Sequence, residues 1–258
     1  MAVGSGVADR PAIVVRDLSK SFRLTSHRAR DLKTVVLHPL RQRPEAQPFW
    51  ALRGVSLEVP RGQSLGIIGS NGSGKSTLLR TVAGITQQTS GSVEVRGRVA
   101  ALLELGAGFH GQVSGRDNAV LNAVLLGLTI QEARDRLDEI IAFSELEAFI
   151  DEPMRTYSQG MFFRLGFAVA VHVHPEILLV DEVLAVGDAE FQEKCFAHIE
   201  ELRRRGVTIL IVSHDLPAVE RFTDRTILME KGRIIADGDP ASTIRVYTRE
   251  VEPSGQRG

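Results

Sequence analysis

Residues 64–84 read SLGIIGSNGSGKSTLLRTVAG. The apolar run 64–68 has the composition of a strand buried on both faces, and TLLRTVAG continues as a helix. Between them, GSNGSGKST (69–77) fits the pattern G-x-x-x-x-G-K-[ST] in the strand–turn–helix context that pattern needs. Glycines at 69, 72 and 74, with Ser70, Asn71 and Ser73 between them, let the backbone turn its N–H groups toward phosphate. Lys75 can reach the β- and γ-phosphates and the Ser76 hydroxyl can ligate Mg2+, with Thr77 beside it. The helix that starts here adds the positive end of its dipole. The alternative, a glycine-rich loop that binds nothing, leaves the lysine and hydroxyl unexplained.

Two more buried runs end in polar residues. ILLVDE (177–182) closes on Asp181 and Glu182, at the carboxyl edge where open α/β sheets place ligands. Two buried carboxylates without partners would be costly. Asp181 suits Mg2+ held through its water shell, and Glu182 suits orienting or deprotonating an attacking water. TILIVSHD (208–215) ends in Ser213, His214 and Asp215, and its topology aims His214 at the same edge, where an imidazole can hydrogen-bond a γ-phosphate. YSQGMF (157–162) precedes the helix-periodic run FRLGFAVAVHV. Ser158 there reads first as an N-cap, and the question is whether the same helix end also holds an anion.

The rest of the chain bounds these readings. A composition 43% hydrophobic and 24% charged over 258 residues suits one large α/β domain with a subdomain. A net charge of −1 supplies no overall attraction to nucleic acid or membrane, and no nucleic-acid partner is expected. Residues 1–50 are locally basic, with nine Lys/Arg against four acids. The lone Cys195 excludes an internal disulfide framework and fits a reducing compartment. No run approaches the roughly 18 apolar residues of a membrane helix, and no signal-peptide pattern opens the chain, so a soluble cytoplasmic protein is expected.

Strands are expected at 12–15, 55–59, 64–68, 92–95, 98–103, 176–180, 208–212, 226–230 and 233–238, with a hairpin turning at Lys231-Gly232. The alternating runs at 55–59 and 92–95 suggest an antiparallel sheet with one wet face. A helical subdomain is expected over about 107–172. Within it TIQEARDRLDEIIAF opens on a Thr129/Glu132 capping box, and Ile130, Ala133, Leu137, Ile140 and Ile141 recur at helical spacing. Residues 1–11 and 251–258 read as disordered ends around a single domain at 12–250. The insert at 24–49 reads as a short basic amphipathic helix and a proline-punctuated loop, either a surface elaboration or a docking element.

The order of phosphate loop, helical insert, YSQGM, ILLVDE, VLAVGD and IVSHD resembles the nucleotide-binding domain of ABC ATPases over roughly residues 12–245. That resemblance implies a P-loop α/β core with an antiparallel β subdomain and an inserted helical subdomain. It implies ATP and Mg2+, and a head-to-tail homodimer. Tyr157-Ser158-Gln159-Gly160-Met161 falls where the family carries its LSGGQ signature, which caps the γ-phosphate bound by the other copy. Asp188 stands for the D-loop aspartate, and Phe22 for the aromatic that stacks on adenine, with Trp50 a second candidate. The chain departs from the family at Glu104, where most members have Gln, and in a signature lacking one Gly and the final Gln.

LLELGAGFH…SGRDN, YSQGMFFRLGFAVAVH and DEVLAVGDAEFQEKC are similar to ATP-binding subunits of bacterial polysaccharide exporters. This branch implies an ATPase that powers export of a lipid-linked polysaccharide through a separate transmembrane permease, two copies of each. It would act at the cytoplasmic face of the inner or plasma membrane, peripheral through the permease. The branch also has a helix where SHRARDLKTVVLHPL stands, and the chain is expected to lack the C-terminal carbohydrate-binding domain of some members. Three other readings remain: a nucleotide-gated clamp with little hydrolysis, a soluble ABC ATPase acting on DNA or ribosomes, and a small-solute importer subunit.

Overall fold

The computed structural model describes residues 10–23, 48–106, 108–181 and 188–251. The expected basic helix of the 24–49 insert, the 1–9 and 252–258 ends, and Glu182 lie outside the described residues. Pro11, expected in the loose end, already packs into the domain, its carbonyl accepting from Arg96 Nη1 at 3.1 Å.

In chain order the elements are β1 (Ile13–Arg23), β2 (Pro48–Val59), β3 (Ser64–Ile68), α1 (Lys75–Val82), β4 (Ser90–Val95) and β5 (Val99–Ala101). The helical stretch follows: α2 (Gly115–Leu125), α3 (Ile130–Asp135), α4 (Leu137–Ser144) and α5 (Gln159–His172). Then come β6 (Ile177–Asp181), α6 (Ala189–Arg204), β7 (Thr208–Val212), α7 (Leu216–Phe222), β8 (Arg225–Glu230), β9 (Arg233–Gly238) and α8 (Pro240–Val251). Strands β2-β1-β4 form an antiparallel sheet. A second sheet runs β5-β6-β7-β3-β8-β9, parallel throughout except for the β8–β9 hairpin. This is the expected P-loop α/β architecture with an antiparallel subdomain and a helical insert.

Strands β3, β6 and β7 are buried on both faces because helices cover both sides. Their alternation divides the core. Leu178, Val180, Ile209 and Ile211 face a cluster with Phe167 and Phe191, while Leu179, Leu210 and Val212 face one with Leu78, Leu79 and Leu52. Each such fully buried side chain contributes about 1.5–3 kcal/mol of transfer free energy.

Three expectations need correction. The strand expected at 98–103 is only three residues long, and Leu102–Glu104 turn into a 3-10 helix. The helix expected from Thr129 is two helices, because Arg136 takes a conformation (φ −98°, ψ −4°) that ends α3 and starts α4. The capping box holds, with the Thr129 and Glu132 bonds both made, yet Ile130 is 58% exposed and does not join Ala133, Ile140 and Ile141 in the core. Helix α8, not read from the sequence, packs on β8 and anchors Thr243, whose hydroxyl donates to the Thr226 carbonyl at 3.3 Å.

Phe143 of α4 meets His172 of α5 and His198 of α6 edge-on, each at 5.2 Å between centroids, and the two imidazoles are 5.3 Å apart. Burial pushes both histidines below their usual range, so the folded state holds them neutral. Protons then bind the unfolded chain first, and their contribution to stability is lost as pH falls below about 6.5 toward the folded pKa values. Urea midpoints measured across this range should drop on acidification, and less steeply in His198→Leu.

Candidate functional site

The hydrogen-bond register puts the ends of three strands level. Ile67 of β3 pairs with Val212 of β7, and Val212 pairs with Asp181 of β6. The loop after β3, the carboxylate ending β6 and the residues after β7 therefore meet at one edge of the sheet.

The phosphate loop is built by backbone conformation. Gly69, Gly72 and Gly74 have φ of 145°, 78° and 109°, a region that disfavours side chains. A Cβ on Gly69 would stand 2.2 Å from the Met229 carbonyl of β8. Gly74 is the left-handed N-cap of α1, with no side-chain cap and no acid in the first turn, so the helix N-terminus stays uncompensated. Ser70, Asn71 and Gly72 are exposed at the crest, whereas Ser73 and Lys75 are buried. Lys75 Nζ donates to the Gly69 carbonyl at 2.8 Å and the Ser70 carbonyl at 3.1 Å, which folds the ammonium over the loop. The buried Ser73 Oγ has no partner among the described residues, an orphan the sequence reading did not single out.

Ser76 and Thr77 are half-buried at the start of α1. Ser76 Oγ faces Asp181 Oδ1 at 3.5 Å, longer than an ordinary hydroxyl–carboxylate hydrogen bond. Adjacent oxygens on one octahedral Mg2+ stand about 3 Å apart, so a hydroxyl and a carboxylate so placed fit that ion with little movement.

After β7, Ser213 Oγ accepts from Asp215 N at 3.0 Å, and Asp215 caps α7 by accepting from Ala218 N at 3.1 Å. These two make the turn, and His214 is carried at its exposed tip. Glu104 closes the 3-10 turn after β5.

A second helix N-terminus without an acid in its first turn belongs to α5. Ser158 is its N-cap, accepting from Met161 N at 3.2 Å, and no acid occupies the first turn. Ser158 and Gln159 are exposed, and Gly160 and Met161 half-buried. A Cβ at 160 would meet nothing closer than Ser158 Oγ at 3.8 Å, so packing within the chain does not require glycine there. The Tyr157 hydroxyl, in contrast, donates to the Phe149 carbonyl at 2.9 Å and serves as an internal anchor. Asp188 caps α6, accepting from Phe191 N at 2.9 Å. Phe22 is 41% exposed and pairs across strands with Phe49, with Lys20 Nζ 4.9 Å over its ring. Trp50 lies opposite Ser21 on β2. Phe49 is exposed and Lys20 half-buried, its Nζ donating to the Gln87 carbonyl at 2.7 Å; the i, i+2 spacing of Lys20 and Phe22 is the sequence signal for that pair.

A family model described as ABC transporter matches residues 52–185. The chain belongs to the ABC transporter family. The matched residues carry the 69–77 loop, the α5 cap and Asp181. The O-antigen export system ATP-binding protein RfbB of Klebsiella pneumoniae is 46% identical over 239 residues, covering 92% of this chain and 97% of that protein. RfbB of Myxococcus xanthus is 48% identical over 93% of this chain, which spans 56% of that longer protein. The teichoic acids export ATP-binding protein TagH of Enterococcus faecalis is 42% identical over 89% of this chain, which spans 51% of it. This ABC chain thus spans about half the length of the last two. The dimeric post-hydrolysis ATP-binding cassette MJ0796 bound to ADP and Pi shares the fold, with a TM-score of 0.70 at 20% identity, covering 88% of this chain and 98% of that one.

Gly69→Ala should cost about 3 kcal/mol or more, from left-handed strain plus the clash with Met229, and should abolish ATP binding. Urea unfolding and a nucleotide titration read the two losses separately.

Proposed function

We propose that this chain is the ATP-hydrolysing subunit that powers export of a lipid-linked polysaccharide through a separate transmembrane subunit. The observation that carries the chemistry is Ser76 Oγ set 3.5 Å from Asp181 Oδ1 beside a buried Lys75. The relatives' names, O-antigen export at 46–48% identity and teichoic acids export at 42%, support the cargo class.

The loop Gly69–Thr77 holds the phosphates on backbone N–H groups, and the Lys75 ammonium leaves its loop carbonyls to meet the β- and γ-oxygens. Ser76 and Asp181 hold Mg2+, which when bound neutralises charge on the leaving phosphates. Glu182 takes the proton of the attacking water, and His214 hydrogen-bonds the γ-phosphate from the neighbouring strand end. Phe22 stacks on adenine. The free N-terminus of α5, with Ser158 and the unobstructed backbone at Gly160, closes over the ATP of a second copy in a head-to-tail homodimer. Asp188 carries the state of one site to the other. Catalysis by this set is positioning and charge neutralisation, with ATP favouring the closed state and hydrolysis releasing it.

Among the described residues no helix is long and apolar enough to cross a membrane. Membrane contact is assigned to a partner. A groove of about 490 Å³ between the end of α1, β5 and α2 is lined by Ile85, Leu125 and Leu126, with Ile85 45% and Leu125 64% exposed. Apolar side chains so exposed beside a groove suit the cytoplasmic face of the transmembrane subunit, two copies of which would meet the two cassettes.

Steady-state hydrolysis with Mg2+, compared with Glu182→Gln, tests the reading alongside size-exclusion with ATP. Turnover by the wild type, an inert variant and an ATP-dependent dimer are expected; equal rates in both overturn it. Leu125→Asp should leave hydrolysis by the isolated chain unchanged and abolish co-purification with the transmembrane subunit, and retained co-purification would move the docking face elsewhere.

A further inference from the structure

Arg164, in the second turn of α5, ties three elements together. Nη1 donates to Glu145 Oε2 at 2.6 Å and Nη2 donates to Asp188 Oδ2 at 2.5 Å, with the guanidinium carbon 4.6 Å from the Phe191 ring centroid. Glu145 ends α4 in a left-handed conformation (φ 58°), and its other oxygen accepts from Lys194 Nζ of α6 at 2.8 Å. Lys194 Nζ also donates to the Phe143 carbonyl at 2.9 Å and lies 4.8 Å over the Phe143 ring. The result is a chain of charges, Lys194–Glu145–Arg164–Asp188, running from α6 through the end of α4 and the side of α5 back to the α6 N-cap. The Arg164 side chain is only 19% exposed, whereas Asp188 is 57% exposed. The Phe191 N–H and then Arg164 hold the Asp188 carboxyl below the usual range, so it is ionised throughout the working pH range.

The two carboxylates are about half exposed, which limits what each ion pair adds to stability. The geometry of the arrangement is more specific than a surface pair. A planar fork stacked on an aromatic ring and gripping two carboxylates has little freedom to rearrange. Six residues before Arg164 is Ser158, the cap of the helix end assigned to the second copy's γ-phosphate, about 9 Å along the axis. Asp188 stands seven residues after Asp181, the Mg2+ carboxylate of this copy. Arg164 is therefore a direct side-chain link between the N-terminal turns of α5 and the start of α6.

We infer that Arg164 is a positioning residue for ATP hydrolysis, one that makes the Ser158 end of α5 and the Asp188 end of α6 move as a unit. It touches neither nucleotide nor metal and acts through these two ends. The inference rests on the functional reading above, and wild-type turnover tests that reading before any variant is compared.

The experiment is a double-mutant cycle on Mg2+-ATP hydrolysis with Arg164→Ala, Asp188→Asn and the pair. Asp188→Asn keeps an N-cap side chain for Phe191 N and loses only the charge, so it remains informative where Arg164→Ala fails to fold. Each single change should lower kcat about tenfold with KM for ATP within about twofold, the pattern of a lost transition-state arrangement. The double variant should lose no more than either single one, as coupled residues do. Arg164→Lys keeps charge without the fork and should not rescue kcat. Turnover of Asp188→Asn within twofold of wild type, a change confined to KM, or losses that multiply in the pair would each overturn the inference. A wild type without turnover overturns the functional reading and this inference with it.

Discussion

Everything at the candidate site depends on the parallel register of β3, β7 and β6. Backbone hydrogen bonds pair Ile67 with Val212 and Val212 with Asp181, so three buried strands end at the same height. A slip of one residue would turn each strand's core side chains to the opposite face, and both hydrophobic clusters would have to be remade. The core thereby fixes the register, and the register brings Asp181 at the end of β6 and the turn after β7 to the edge where the glycine loop begins. Burial energy far from the phosphates sets the geometry of the chemistry.

Two helix N-termini are assigned to phosphate in the proposed function, and they are built differently. At α1 the cap is a left-handed glycine without a side-chain acceptor, which leaves the orphan N–H groups to a ligand and lets Lys75 fold over the loop. At α5 a serine caps one N–H and still presents its hydroxyl outward. Capping and binding are thus compatible at Ser158, since one hydroxyl can accept from Met161 N and donate elsewhere. Absence of an acid from both first turns keeps each helix dipole available to phosphate.

Much of this was legible in the sequence because it is local. The phosphate loop, the Thr129/Glu132 capping box and the Lys231-Gly232 hairpin each depend on neighbours within a few residues, and each appears where the pattern put it. Continuous apolar runs marked β3, β6 and β7 as central strands. What escaped depends on partners distant in sequence or on competing conformations. Arg136 interrupts a periodicity that reads as one helix, and Ile130 stays largely exposed. Asp215, one of the polar residues that end the third buried run, caps α7. The Arg164 fork joins residues separated by 19 and 24 positions, and no spacing rule connects them. The orphaned Ser73 hydroxyl is visible only once the loop folds it beside Gly69.

The central claim is that Ser76 of α1 and Asp181 of β6 hold one divalent cation with the bound nucleotide. Electron paramagnetic resonance of Mn2+ substituted for Mg2+, titrated in the presence of ATP, reads that claim directly. The account predicts one protein-bound Mn2+ per ATP, with affinity lost in Ser76→Ala and in Asp181→Asn while metal-free nucleotide still binds. Mn2+ binding unchanged in both variants would contradict it.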